Sequence, residues 1–434
     1  MNLLRYTDRD FAERRAKLAA ASSLFDPVIE ERTRAIVKEV QERGDAALLE
    51  LTKRFDGAEL DLSQLTVSTS EKFNASLLAD EELRDAVRLA HRNIERFSRK
   101  SLRKRWTGYN SQGARVGEKF DPFQRVGIYV PGGTAPLVST ALMTVTLAKV
   151  AGCPEIVVCT PPDKTGSINK ALLFALNTAG ATEIYRVGGS QAIAALAYGT
   201  ETIRPVKKIF GPGNAYVVAA KRLLFGRVAV DLLPGPSEVL ILADETADPR
   251  FAAADLLAQA EHGSGHERVW LVTDSSKLLK GVQKEIDRQL PKLSRANFIR
   301  TALQNNGWLI QTRSLADAVA LTNELAPEHC EIMTSKAAKM AEKIVTAGAL
   351  FLGSMSPTVL GDYVAGPSHT LPTGGAGASF PGLTVDQFQR RSSVVEYGRA
   401  SLKASLKAVE KFAAVEGLDA HGRSAAVRLE KRGR

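Results

Sequence analysis

Cysteine and aromatic residues are scarce in this 434-residue sequence, which contains three cysteines and 6% Phe, Trp and Tyr. The three cysteines form no CxxC pair, so disulfides are not expected, and the composition fits a reducing, cytoplasmic compartment. The few aromatics are not interleaved with basic residues along a stripe, as a surface that stacks nucleic-acid bases would require. We therefore expect neither a disulfide-stabilised fold nor a nucleic-acid partner.

Long apolar runs are also missing. No stretch is long and apolar enough to cross a bilayer, and the N-terminal MNLLRYTDRDFAERR lacks the apolar core of a signal peptide. The net charge of +10 would suit nucleic acid, but much of the basicity lies in two runs, 96–105 and 428–434, that are typical of solvated faces. A positive field also suits an anionic small molecule, and no membrane partner is expected.

The chain is long enough for two or three domains with sizeable cores. Residues 1 to about 120 are predicted to be mainly helical, and from residue 125 strands and helices alternate, which predicts parallel sheets covered by helices. A loop rich in glycine and proline follows at 361–382, and helix is predicted again from residue 385. The predicted strands are 125–130, 155–159, 183–187, 207–210, 239–242, 268–273, 307–311, 330–334 and 349–352.

Glycine-rich turns follow three strands of the first alternating region, at 131–136, 188–192 and 211–215. Such turns let a ligand approach the backbone and aim helix N-termini at anions, at the carboxyl ends of the strands. None of them is a GxGxxG or a Walker A sequence, and any tight turn between a strand and a helix can use glycine. Three such turns in one sheet nevertheless favour nucleotide binding.

A predicted apolar helix ending at His262 carries polar residues on one face, because Asp255, Gln259 and His262 are four and three positions apart. An imidazole beside an amide oxygen and a carboxylate is half of a metal or substrate site. The alternative is a helix end with a solvated histidine. His266 has the spacing of a zinc helix relative to His262, but the intervening glycines should break the helix, so we do not include it.

Two further groups contain ionisable residues. Glu328 and His329 follow Pro327 on a stiff turn, where they are either a paired acid and base or two exposed polar residues. Asp362, at the start of the long loop, is a candidate carboxylate ligand, although an aspartate in a loop is more often a turn former. Each of these signals is weak alone.

In combination, the motifs resemble the histidinol dehydrogenase family along essentially the whole chain. The resemblance is carried by 125–133 (RVGIYVPGG), 211–216 (GPGNAY), 235–239 (GPSEV), 257–262 (LAQAEH), 326–329 (APEH), 361–363 (GDY), 369–374 (HTLPTG) and the terminal segment 413–421. It implies an enzyme that uses zinc and NAD to oxidise L-histidinol to L-histidine, by two successive hydride transfers through an aldehyde. The alternative is an NAD-dependent dehydrogenase of another small alcohol, such as a sulfonated diol, on the same scaffold.

The resemblance also implies roles for individual residues. The ligands of one zinc ion per subunit would be Gln259, His262, Asp362 and His421, the last supplied by the partner subunit of a homodimer. Nothing but the resemblance selects a glutamine as a zinc ligand. The proton acceptors would be Glu328 and His329. The substrate would contact these six residues together with Ser237 and Glu416, and NAD would contact Tyr129, Gln191 and Asn214.

The architecture that the resemblance implies is a pair of intertwined Rossmann-like α/β domains with parallel sheets, flanked by helical segments that make the dimer. The first domain would be discontinuous, comprising 26–124 and 238–382, and the second, which binds NAD, would span 125–237. Residues 1–25 would form an N-terminal helical segment. Residues 383–434 would form a C-terminal helical tail that is exchanged between the two subunits.

Overall fold

A computed structural model describes residues 1–19, 26–132 and 136–430 of the protein. Three short parts of the predictions lie outside the described residues: the end of the N-terminal segment (20–25), the middle of the first glycine turn (133–135) and the end of the basic tail (431–434). Across the three described ranges, no helix has the length and apolar character needed to span a membrane.

Strands and helices alternate along most of the chain. The strands are β1 (Asn2–Arg5), β2 (Trp106–Tyr109), β3 (Arg115–Pro122), β4 (Arg125–Tyr129), β5 (Glu155–Thr160), β6 (Glu183–Arg186), β7 (Lys208–Phe210), β8 (Ala229–Val230), β9 (Glu238–Ala243), β10 (Arg268–Thr273), β11 (Gly307–Gln311), β12 (His329–Met333), β13 (Ala349–Leu352) and β14 (Gln389–Glu396). The helices are α1 (Phe11–Ala19), α2 (Pro27–Asp56), α3 (Thr69–Leu78), α4 (Glu81–Ser101), α5 (Val138–Ala151), α6 (Lys170–Ala179), α7 (Gly189–Tyr198), α8 (Ala215–Leu224), α9 (Pro249–Ala260), α10 (Ser276–Gln289), α11 (Ala296–Asn306), α12 (Leu315–Leu325), α13 (Ala337–Ala341), α14 (Thr358–Tyr363), α15 (Arg399–Glu416) and α16 (Asp419–Ala426). Short 3-10 helices occupy Leu62–Gln64, Leu290–Lys292, Ala376–Ala378, Val385–Phe388 and Val427–Leu429.

The chain divides into two compact units. The first consists of residues 1–101 and 123–387, and the second of residues 102–122 with the chain from 388 onwards. The first unit contains a six-stranded sheet in the order β1-β11-β10-β9-β12-β13 and a five-stranded sheet in the order β6-β5-β4-β7-β8. Neighbouring strands in both sheets are parallel, so the predicted α/β class with parallel sheets is confirmed.

The second unit combines a three-stranded antiparallel sheet, in the order β14-β3-β2, with the helices α15 and α16. The prediction of helix from residue 385 is therefore wrong over Gln389–Glu396, which is β14. The prediction of mainly helical structure before residue 120 is right for α1 to α4 but misses β1, β2 and β3. Within the three-stranded sheet, β14 pairs only with β3, which lies far from it in the chain, so no local pattern shows the partner of β14.

The five-stranded sheet has a topological switch point beside its central strand. The chain leaves β4 towards β5 and β6 on one side and towards β7 and β8 on the other, and ligands of such sheets bind at the carboxyl ends there. Gly211, just after β7, has φ +106, and a Cβ on it would lie 2.1 Å from the carbonyl oxygen of Tyr129. Only glycine lets these two strand ends approach so closely. The buried Asp231 secures the turn, because its carboxylate accepts a bond from the Gly211 N–H (2.7 Å) and pairs with Lys221 (2.6 Å).

The six-stranded sheet gathers polar residues at its amino edge. Strand β9 begins at Glu238 and β12 at His329, and the two strands are adjacent, with His329 opposite Val239. Helix α9 returns antiparallel to the strands, so its last turn, with Gln259, reaches the same edge. Separate apolar clusters pack around this sheet and exclude water from its interior, which leaves the strand ends as the place for polar chemistry.

Candidate active site

One small cavity brings together the three predicted zinc ligands of the first unit. Its walls are formed by Asp255, Ala258, Gln259, His262, Thr358, Val359 and Asp362. Gln259 lies in the last turn of α9 and is 3% exposed, whereas His262 lies just beyond the end of that helix and is exposed. The ligand set itself stays a prediction, but its geometric requirement, a shared cavity, is met.

His262 and Gln259 are held by a local hydrogen bond. The ring Nδ1 of His262 lies 2.9 Å from the carbonyl oxygen of Gln259, and a carbonyl can only accept, so Nδ1 donates. The Nε2 lone pair is then the free position of this ring, which is the state required of an imidazole that binds a metal. The side-chain Nε2 of Gln259 is buried without a hydrogen-bond partner among the described residues, which leaves this amide free to turn towards a ligand.

Asp362 reaches the cavity from a helix, so its predicted position at the start of a loop is wrong. It belongs to α14, whose six residues (Thr358–Tyr363) are too few to show a helical repeat in the sequence. Burial alone would raise the pKa of Asp362, but a hydrogen bond with His369 and the positive fields of His329, His369 and His262 hold it below its usual value. Asp362 is therefore an ionised carboxylate that faces three imidazoles.

These groups fit a metal ion, although not as a complete set. Imidazole nitrogen, carboxylate oxygen and amide oxygen all bind zinc, and Gln259, His262 and Asp362 supply one of each. Among the described residues, no group of three or more His, Cys, Asp and Glu side chains lies close enough to bind a metal. A zinc ion here therefore needs the glutamine, and it needs a further ligand from elsewhere.

The pair Glu328 and His329 is buried, which rules out the alternative of two exposed polar residues. They are 5% and 4% exposed, at the junction where Ala326, in the left-handed conformation (φ 45), ends α12 and turns the chain into β12. The Nδ1 of His329 lies 2.9 Å from the carbonyl oxygen of Glu238 and must donate to it. Its Nε2 is then the basic nitrogen; it lies 3.8 Å from Asp362 Oδ1 and has no hydrogen-bond partner in the described chain.

The charge around His329 is set by its acidic neighbours. Burial lowers the pKa of His329, but the charges of Glu328 and Asp362 and hydrogen bonds to Glu328 and the Glu238 carbonyl outweigh burial and raise the pKa to about 9. Glu328 Oε2 in turn accepts a hydrogen bond of 2.8 Å from the backbone N–H of Glu238. The backbone of Glu238 thus positions both members of the predicted acid–base pair.

Sequence patterns gave no role to Glu238 or His369, although both belong to motifs of the resemblance. Glu238 accepts a bond from the Gly374 N–H (3.0 Å) and lies 3.2 Å from Arg268. Burial and the charge of Glu328, opposed by Arg268, raise the pKa of Glu238 to about 7. His369 places Nδ1 3.7 Å from Asp362 Oδ1 and Nε2 3.1 Å from the hydroxyl of Thr140 in α5. No spacing rule could have joined residues so far apart in the chain.

The buried carboxyl group of Glu331 links the secondary-structure elements that carry the site residues. It accepts hydrogen bonds from the backbone N–H (2.6 Å) and the hydroxyl of Thr358, the first residue of α14. Burial and the adjacent carboxyl of Glu331 raise the pKa of Asp255 in α9, so these two acids share a proton near neutral pH. Strand β12, helix α14 and helix α9 are therefore linked behind His329, Asp362 and Gln259.

The predicted NAD residues gather at the carboxyl edge of the five-stranded sheet. Tyr129 ends β4, and its buried hydroxyl accepts a hydrogen bond of 3.0 Å from the Gly189 N–H at the start of α7. Gln191 is 1% exposed, and its side-chain Nε2 has no partner among the described residues. Asn214 is exposed and caps α8 by accepting from two backbone N–H groups, at 3.1 and 3.2 Å. The N-termini of α7 and α8 therefore lie at this edge, and a helix N-terminus suits a phosphate ligand.

The remaining predicted residues occupy three different elements. Ser237 is half-buried immediately before β9. Glu416 is the last residue of α15, and His421 lies in α16; both belong to the second unit and are exposed in the single chain. The three cysteines are buried and form no disulfide, and burial raises the pKa of the Cys330 thiol, so a thiolate nucleophile is disfavoured beside His329.

Comparison with known proteins gives a consistent picture. The sequence profile of the family described as histidinol dehydrogenase matches residues 21–429. A histidinol dehydrogenase of Rhodopseudomonas palustris is 46% identical over 423 residues, covering 98% of this chain and 98% of that protein. One of Geobacillus kaustophilus is 47% identical and covers 85% of this chain and 87% of its own length. The crystal structure of histidinol dehydrogenase from Elizabethkingia anophelis has a TM-score of 0.93 at 36% identity, covering 99% of this chain and 98% of that one.

Because His262 lines the cavity and His266 does not, zinc binding should depend on His262 but not on His266. We expect His262→Ala to weaken zinc binding by at least about 100-fold. Substituting a residue that only orients a zinc ligand already weakens metal binding by about 10–100-fold, and His262 would bind the zinc ion directly. His266→Ala is the matched control, since His266 is exposed, lies beyond the helix and does not line the cavity. Zinc affinity is measured by competition with a chromophoric chelator. Equal zinc affinities of the two variants would remove His262 from the ligand set.

Proposed function

Because the chain belongs to the histidinol dehydrogenase family, we propose that it oxidises L-histidinol to L-histidine through an aldehyde, using NAD and one zinc ion per subunit. The observation that carries the proposal is the single cavity lined by Gln259, His262 and Asp362, with the free Nε2 of His329 3.8 Å from Asp362. A ligand site for a cation and a buried base are thus adjacent. An amino alcohol bound there would present its hydroxyl to that base.

We assign the zinc ligands as Gln259, His262, Asp362 and His421 of the partner subunit. The cation would hold the amino and imidazole nitrogens of the substrate and fix the orientation of its carbinol carbon. The state of each side chain supports this assignment: His262 has a free Nε2, Asp362 is ionised, and Gln259 has an unpaired amide group. Ser237 and Glu416 would complete the contacts to the substrate.

His329 is the base for the alcohol step in this proposal. Its Nδ1–H is fixed on the Glu238 carbonyl, so Nε2 would accept the hydroxyl proton as the carbinol is oxidised to the aldehyde. Bound NAD would supply the hydride acceptor for that oxidation. In the protein without a cation, Asp362 helps to raise the pKa of His329 to about 9, which would keep the ring protonated. A cation held by Asp362 would offset that contribution and would favour the unprotonated ring.

Glu328 is the base for the aldehyde step. A carboxylate adjacent to the His329 ring can take a proton from water as the water adds to the aldehyde carbon, and the resulting hydrate gives up the second hydride. A cysteine nucleophile is the usual alternative for aldehyde oxidation, but the buried Cys330 thiol has a raised pKa. General-base hydration therefore fits these residues better than a thioester route.

The dinucleotide would occupy the carboxyl edge of the five-stranded sheet, against Tyr129, Gln191 and Asn214. The unpaired Nε2 of Gln191 supports this location because it offers a hydrogen-bond donor at the edge. Gly211 only lets the ends of β4 and β7 approach each other closely there. His369 connects this edge with the cation site through Thr140 and Asp362. The hydride donor and acceptor would then meet between the two sheets.

The defining experiment is incubation of the protein with L-histidinol and NAD, counting NADH per substrate consumed. We expect two NADH for each L-histidinol, no NADH from a sulfonated diol, and loss of turnover with a strong chelator that added zinc restores. One NADH per substrate would show that the protein oxidises the alcohol to the aldehyde but does not oxidise the aldehyde. No NADH at all, from protein that carries zinc, would contradict the proposal.

His329→Asn should slow oxidation of L-histidinol by about 10²–10⁴-fold, the range that a positioned general base supplies. Zinc content should not change, because His329 is not among the assigned ligands. Rate is measured under saturating NAD and zinc by metal analysis on the same sample. An unchanged rate, or loss of zinc together with activity, would argue against the role of base.

The shared site predicts recovery of activity when two inactive variants are mixed. His262→Ala and His421→Ala each disable both sites of their own homodimer. After subunit exchange, the mixed dimer contains one site with a wild-type His262 and a wild-type partner His421, so total activity should return to about one quarter of wild type. No recovery, with exchange verified by mass spectrometry, would place His421 in the site of its own chain or outside it.

A further inference from the structure

Asp56, the last residue of α2, presents an unpaired carboxylate beside the second glycine turn. Gly57 follows it in the left-handed conformation (φ 73) and ends the helix there. The Oδ2 atom of Asp56 is shielded from solvent and has no hydrogen-bond partner among the described residues. An ionisable oxygen held this way needs a ligand to compensate it, since unpaired buried carboxylates are costly.

The neighbours of Asp56 place it at the predicted dinucleotide edge. A Cβ added to Gly188, the residue before α7, would lie 3.2 Å from both carboxylate oxygens of Asp56 and 2.6 Å from Pro161, just after β5. Burial raises the pKa of the Tyr129 hydroxyl, and the charge of Asp56 raises it further, which puts the two side chains within electrostatic reach. Asp56 therefore faces the ends of β4, β5 and β6 together.

This edge lacks its usual carboxylate. In dinucleotide-binding sheets an Asp or Glu beside the first strand accepts hydrogen bonds from the hydroxyls of the adenosine ribose. Here the strand next to β4 is β5, and it is followed by Pro161 and Pro162, which have no polar side chain. The next residue, Asp163, already uses its Oδ1 to accept from the N–H groups of Thr165 and Ser167 in its own turn.

A second, independent feature also points to a ligand at this place. Helix α7 begins at Gly189, whose N–H donates to the Tyr129 hydroxyl, and the buried amide of Gln191 in its first turn has an unused donor. The N-terminus of α7 therefore lies at this turn. Phosphate oxygens suit the N-terminus of α7, whereas a carboxylate suits hydroxyl donors. The combination matches a ribose beside a pyrophosphate.

We propose that Asp56 binds the hydroxyls of the adenosine ribose and selects the dinucleotide without a 2′-phosphate. The inference rests on the proposed use of NAD and adds a residue that sets cofactor specificity. A carboxylate that accepts from the 2′-hydroxyl is repelled by a 2′-phosphate at the same position, so the same side chain favours one cofactor and rejects the other.

The test is direct binding of NADH and NADPH, followed by their fluorescence, to the zinc-loaded protein without L-histidinol. We expect the wild type to bind NADH at least ~10-fold more tightly than NADPH. Asp56→Asn should bind NADH ~10-fold more weakly than the wild type, because a charge-assisted hydrogen bond is lost. The variant should therefore bind both cofactors about equally. Asp163→Asn is the matched control at the same edge and should keep the wild-type ratio. In L-histidinol oxidation, the lost affinity of Asp56→Asn should appear as a raised KM for NAD.

The possible results distinguish a wrong assignment of Asp56 from a wrong proposed function. Wild-type protein that forms NADH from L-histidinol, with Asp56→Asn unchanged in both affinities, overturns the role of Asp56 alone. Wild-type protein that binds neither dinucleotide and forms no NADH overturns the proposed function. If Asp56→Asn fails to fold by circular dichroism, Asp56→Ser supplies the same comparison, and an unaltered preference in that variant overturns the inference equally.

Discussion

The hydrogen bond of 2.9 Å from the Nδ1–H of His329 to the carbonyl oxygen of Glu238 determines which ring nitrogen can act as a base. It forms because β9 and β12 are parallel neighbours, so that the first residues of both strands meet at the amino edge of the six-stranded sheet. With Nδ1 engaged, Nε2 is left facing Asp362, the carboxylate that lines the cavity with His262. The register of two strands thus puts the candidate base His329 beside the proposed cation site.

Buried acidic side chains support the proposed cation site at this edge. Asp362, Glu328 and Glu238 are packed close together, and Arg268 offsets part of their charge by pairing with Glu238. A bound cation stabilises such a cluster more than water can. The facing edge, at the carboxyl ends of the five-stranded sheet, has the opposite character, since two helix N-termini open there and favour phosphate. A cation-bound substrate and a dinucleotide can therefore be held side by side.

The sequence predicts the helices and strands that a local pattern determines. It does not predict the elements and contacts that depend on segments far apart in the chain. The alternation of strands and helices predicts both parallel sheets, because each strand is a short apolar run bounded by turns. It misses β14, a mostly polar strand whose partner is at the other end of the chain, and it places Asp362 in a loop because six residues show no helical repeat. Helix spacing places Gln259 beside His262, but its assignment as a zinc ligand follows only from the family resemblance. The contacts of His369 with Asp362 and of Asp56 with the Gly188 turn arise from tertiary packing, which no spacing encodes.

The proposed zinc site can be tested by anomalous diffraction at the zinc absorption edge from crystals of the zinc-loaded protein. We expect a single strong peak per subunit, about 2.0–2.2 Å from His262 Nε2, an oxygen of Asp362, the amide oxygen of Gln259 and His421 of the partner subunit. A peak that lies away from these side chains, or a zinc ion bound by other ligands while the protein still oxidises L-histidinol, would contradict the assigned ligand set.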